Sequence, residues 1–116
     1  MALCLFLATH PSGAQPLSSG ERTFNVQCKA CHAVGPNAKN RVGPQLNNLH
    51  GRKAGSVEGY KYSDALKNAD IIWNEAEFSA YLKNPKQKFP GTKKFNPHVA
   101  NEQIIKDIYE YLGTFN

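Results

Sequence analysis

Methionine is almost missing from this chain: Met1 is the only one in 116 residues, so beyond the first position no side chain offers a thioether sulfur. No apolar run approaches the roughly 20 residues of a membrane-spanning helix, and with a mean hydropathy of −0.53 a water-soluble protein is expected. Three cysteines are too few for a disulfide framework, and no second cysteine or histidine pair follows at the spacing a zinc site requires. Acids are outnumbered, 9 against 14 Lys and Arg, giving a formal net charge of +5. Basic stretches interleaved with base-stacking aromatics are absent, so nucleic acid is not an expected partner. Repeats, low-complexity tracts and a second domain are absent too, which leaves one small domain near the lower limit for a self-sufficient apolar core.

What the chain does have is Cys28-Lys29-Ala30-Cys31-His32, a C-x-x-C-H. Cys-x-x-Cys alone also serves thioredoxin-like redox pairs and half zinc sites, but a thioredoxin needs a βαβ context that is not present here. The adjacent histidine discriminates. Two thiols on one turn can form thioethers to the two vinyl groups of one porphyrin, with the next residue beneath the iron as proximal ligand. One covalent haem c is therefore expected on Cys28, Cys31 and His32.

Residues 2–8 form a short apolar stretch, and Ser12-Gly13-Ala14 has the small-x-small form of a signal-peptidase site. Cleavage after Ala14 is expected, making residues 1–14 the remnant of an export leader without its basic start, and 15–116 the haem domain. Cys4 leaves with the leader, both remaining cysteines go to haem, and no disulfide is expected.

Local signals predict an all-α domain of short helices and wrapping loops. Ser18 with Glu21 reads as a capping box opening a helix that carries Phe24 toward the cysteines. Positions 34–62 are rich in Gly, Pro, Asn and Lys without a sustained period, and predict a loop wrapped on the cofactor. Ser63 is placed to cap a short helix through Asn68, and Asn74 a longer one that Pro85 stops. After an irregular lysine-rich stretch, Asn101 opens the last helix, with Ile104, Ile105, Ile108, Tyr111, Leu112 and Phe115 as its apolar stripe.

Beyond Cys-x-x-Cys-His, the chain contains Gly43-Pro44, Gly51-Arg52-Lys53, Gly59-Tyr60-x-Tyr62-Ser63, Ile71-Ile72-Trp73, Tyr81-Leu82-x-Asn84-Pro85 and Pro90-Gly91-Thr92-Lys93. In this order, from Gly20 to Leu112, they resemble the class I cytochromes c of the mitochondrial and bacterial photosynthetic-type branch. The resemblance implies that fold, a single haem c, and electron transfer without catalytic residues. It implies that the Pro44 carbonyl accepts from the proximal His32, that Arg52, Tyr62 and Trp73 bind the haem propionates, and that Tyr81 and Thr92 also contact the cofactor. Gly20 and Phe24 should pack across the last helix near Tyr111. His50 should be a surface residue or propionate neighbour.

One departure matters most. The family's distal ligand is a methionine after Pro-Gly-Thr-Lys, and here that position is Lys94. A neutral ε-amine is a competent ligand for ferric iron, so Lys94 is the first choice, with Lys93, His98 or an open, water-bound site as alternatives. Leu66, where mitochondrial members carry asparagine, implies a drier pocket. The expected function is a monomeric periplasmic single-electron carrier of low potential. Lys29, Lys83, Lys86, Lys88, Lys93 and Lys94 would ring the haem edge and steer acidic redox partners. The alternative is a gas-binding or weakly peroxide-reactive haem protein with a displaceable distal ligand; no distal His-Arg pair for efficient peroxide cleavage is present.

Overall fold

The computed structural model describes residues 17–92 and 99–116. Five helices follow in order: α1 (Ser19–Gln27), α2 (Asp64–Lys67), α3 (Glu75–Lys83), α4 (Pro85–Lys88) and α5 (Glu102–Gly113). Among the described residues the only β feature is an isolated bridge between Lys53 and Ile72. The all-α expectation holds, as does the long loop between α1 and α2.

Each helix starts where a short polar side chain takes over an unpaired amide. Ser18 accepts from the Glu21 N–H, Ser63 from Leu66, Asn74 from Glu77, and Asn101 from Ile104 at 3.0 Å. Asn101→Ala is expected to cost about 1 kcal/mol, measured by denaturant unfolding of the holoprotein, because it removes the side-chain acceptor of the Ile104 amide.

Pro85 does more than the expected stop. It ends α3 through Asn84, but its fixed φ and missing N–H suit the first position of a helix, and it opens the single turn α4 instead of an irregular stretch. Asn84 bridges the two helices as C-cap of one and N-cap of the next.

The core is where α5 meets α1 and α3. Ile105, Ile108 and Leu112 are each 1% exposed, and each such side chain contributes roughly 1.5–3 kcal/mol by burial. Tyr109 is also buried, although it lies off the expected stripe, while Ile104 and Tyr111 are only partly buried. Phe115 follows the helix and packs edge-on against Tyr111. Gly20 is the point of closest approach between α1 and α5: a Cβ there would sit 2.8 Å from Tyr111 Cβ and 2.9 Å from the Asp107 carbonyl carbon. Phe24, one turn on, packs its ring on Tyr111 at 5.6 Å.

Two backbone junctions shape the middle of the molecule. Gly43 N–H donates to Cys31 O at 2.9 Å and Leu46 N–H to Ala33 O at 3.0 Å, laying the start of the long loop on the segment after α1. Trp73 N–H donates to Arg52 O while Gly51 N–H donates to Trp73 O, so Arg52 and Trp73 are held side by side.

Candidate functional site

These elements enclose a cavity of about 820 Å³. Cys28, Cys31 and His32 line it from the end of α1, Leu66 from α2, Phe78, Tyr81 and Leu82 from α3, and Ile108 and Leu112 from α5. Pro44, Leu49, Arg52, Tyr62, Trp73 and Thr92 are also among its lining residues. The wall is mostly apolar, and every residue assigned to the cofactor from the sequence and described in the structure is part of it.

Cys28 is the C-cap of α1, its amide bonded to Phe24 O at 2.8 Å, and His32 N–H returns to Cys28 O at 2.9 Å. This turn brings both thiols and the imidazole to one wall. The two sulfurs are not joined to each other. Burial, with Cys31 nearby, pushes the Cys28 thiol up to about 11, so it is protonated at neutral pH.

His32 Nδ1 lies 2.8 Å from the Pro44 carbonyl oxygen. An imidazole N–H donating there leaves Nε2 as the ring's unprotonated, metal-binding nitrogen, and such a hydrogen bond fixes the ring plane and raises its donor strength. Gly43 adds a requirement that the motif alone did not explain. A Cβ at Gly43 would come within 2.6 Å of His32 Nε2 and 2.7 Å of Nδ1, so backbone without a side chain is what lets the ring lie flat on this loop.

The polar part of the wall is built around Arg52. Its Nη1 donates to the carbonyls of Gln45 at 3.1 Å and Asn47 at 2.8 Å, bracing the loop that carries Pro44. Nε is buried without a partner, as is Thr92 Oγ1. Burial lowers the Arg52 pKa from its ordinary value, partly offset by Tyr62. Burial likewise raises Tyr62, although the Val57 amide it accepts from at 3.0 Å and the Arg52 charge pull it down. A cation and a hydroxyl, each with a buried unused hydrogen-bonding atom, suit an anionic oxygen ligand. An apolar cavity with such a polar end and a thiol pair beside an oriented histidine fits a haem with its propionates.

Two expectations need correction. His50 is half-buried and does not line the cavity: its ring stacks on Tyr109 with centroids 3.7 Å apart, and Nε2 lies 2.7 Å from Tyr109 O. It ties the long loop to the end of α5. The cationic ring is also thinner than expected, because Lys83 is ion-paired with Glu102, and Lys88 Nζ lies 2.6 Å from Glu77 Oε2. Both partners are distant in sequence, so no local signal marked these lysines as compensated. Lys93, Lys94 and His98 lie outside the described residues.

Comparison with known proteins agrees with this geometry. The family model described as Cytochrome c matches residues 17–116. Cytochrome c2 of Blastochloris viridis is 49% identical over 106 residues, spanning 91% of this chain and 83% of that protein. Cytochrome c-550 of Bradyrhizobium diazoefficiens is 48% identical over 99 residues, 85% of this chain and 72% of that one. Among solved structures, cytochrome cH from Methylobacterium extorquens aligns with a TM-score of 0.75 and 42% identity, over 83% of this chain and 95% of its own. The chain thus belongs to the cytochrome c family, carrying one covalently attached haem c as an electron carrier and not as an enzyme.

Proposed function

We propose that this protein is a low-potential, monomeric periplasmic carrier of single electrons, with His32 and Lys94 as the axial ligands of its haem and residues 1–14 as the remnant of its export leader. The observation that carries this reading is the lysine at position 94 in a chain with no methionine after Met1. When bound, the haem supplies a one-electron Fe(III)/Fe(II) couple. The protein's part is to hold and tune it. Cys28 and Cys31 anchor it, and Pro44 orients His32. Arg52, Tyr62, Trp73 and Thr92 receive the propionates, and Tyr81 packs against the cofactor.

Lys94 must be neutral to bind metal. A model lysine pKa of about 10.4 opposes this at pH 7, but desolvation and competition by the metal both favour the free amine. An amine stabilises ferric over ferrous iron relative to a thioether, hence the low potential.

Absorption and magnetic-resonance spectra of the ferric holoprotein beside Lys94→Ala test the ligand. Low-spin iron that becomes high-spin on substitution is the expected result. High-spin iron in both would leave the distal position open and favour a gas-binding protein, and low-spin iron in both would move the ligand to Lys93 or His98.

A further inference from the structure

Gly113 ends α5 without a conformational need for glycine, since its φ is not in the left-handed region. Apart from proline, glycine is also the poorest helix former. What stands where its side chain would be is the imidazole of His50: a Cβ at Gly113 would lie 2.6 Å from His50 Cε1 and 3.2 Å from Nδ1 and Nε2. The same ring stacks on Tyr109, one turn earlier, at an interplanar angle of 9°, and its Nε2 donates to the Tyr109 carbonyl at 2.7 Å. Main-chain groups on either side join in: Asn48 N–H donates to Phe115 O at 2.9 Å, and the Asn116 side-chain amide to His50 O at 3.3 Å. His50 is thus the side chain by which the long loop is seated on α5.

Two residues further on is Arg52, the cation at the polar end of the cavity. Its bonds to Gln45 O and Asn47 O stay within the long loop, so they stiffen the loop without locating it on the helices. Between His50 and Arg52 stands Gly51 at φ +87°, where a Cβ would meet nothing within 4 Å, so packing does not fix the chain direction there. The Trp73 backbone holds one side of this segment and the seat on α5 holds the other. Ile108 and Leu112 of α5 line the same cavity as Arg52, so a shift of His50 on that helix moves the guanidinium relative to the cofactor's space. A cation held close to a haem favours the reduced iron, which carries one positive charge fewer. Resting on the reading that Arg52 receives a haem propionate, we propose that His50, seated on Tyr109 and Gly113, is a positioning residue for Arg52 and through it raises the reduction potential of the haem.

Spectroelectrochemical titration of the holoprotein tests this through a double-mutant cycle. His50→Phe keeps a flat ring but loses the bond to Tyr109 O, and is expected to shift the redox equilibrium about threefold toward the ferric state, ~30 mV at ~59 mV per factor of ten. Gly113→Ala leaves His50 and Arg52 chemically intact and suits a helix better, yet its Cβ displaces the ring, so a shift of the same sign is expected. In an Arg52→Gln background, itself shifted toward the ferric state, His50→Phe is expected to add nothing. Asn101→Ala, which weakens the fold at the other end of α5, is expected to leave the potential unchanged. A full His50→Phe shift persisting without Arg52, an equal shift from Asn101→Ala, or no shift from either His50→Phe or Gly113→Ala would overturn the positioning role while leaving the propionate reading intact. An Arg52→Gln potential equal to that of the wild type would overturn both.

Discussion

Lys94→Met is expected to raise the reduction potential of the holoprotein by on the order of a few hundred millivolts, a sizeable share of the roughly 0.8 V over which axial ligands move haem potentials. The substitution supplies the sulfur that the chain lacks beyond Met1. A thioether is a softer donor than an amine and favours the ferrous state. For a one-electron couple each ~59 mV is a factor of ten in the redox equilibrium, so the variant would exchange electrons with a different set of partners. Spectroelectrochemical titration measures it directly. An unchanged potential would remove Lys94 from the iron and, with it, the reason to expect a low-potential carrier.

Gly20→Val is expected to destabilise the fold by about 3 kcal/mol, at the upper end for overpacking. The atoms it would strike belong to the α5 backbone and to the base of Tyr111, not to the tip of a flexible side chain. Relief therefore requires α1 to move off α5. That movement loosens Phe24, 3% exposed, and the Ser19 hydroxyl donating to Asp107 Oδ2 at 2.9 Å. Denaturant unfolding of the holoprotein reads the loss, and a change below about 1 kcal/mol would show that the helices can part without penalty.

What could be read in advance follows the range of the physics involved. Helix starts depend on a side chain and an amide three residues away, so Ser18, Ser63, Asn74 and Asn101 were all legible as caps. Pro85 was only half legible, since the same ring that stops one helix can start another, and which occurs depends on Asn84 serving both. Tyr109 was not legible as core: it is off the α5 stripe and is buried partly by the His50 ring from 59 positions away. The same distance problem hid the ion pairs of Lys83 and Lys88, which in the sequence read as bare charge. Gly43 was recognised as part of a motif, but its reason, the His32 ring lying against it, exists only in three dimensions.

The meeting of α1 with α5 also bears on how the molecule comes into being. Ser19 and Asp107 are separated by 88 positions, and α5 is the only helix that α1 packs against among the described elements. Closing a loop of that length costs roughly 4 kcal/mol in chain entropy before any contact repays it. A helix of nine residues is marginal by itself in water. A chain delivered from its N-terminus therefore presents Phe24 and both thiols without the shelter of α5 until its last helix arrives. The wall that carries Cys28 and Cys31 is thus completed by the last part of the chain to be made, and the thiols stay accessible until α5 docks on α1.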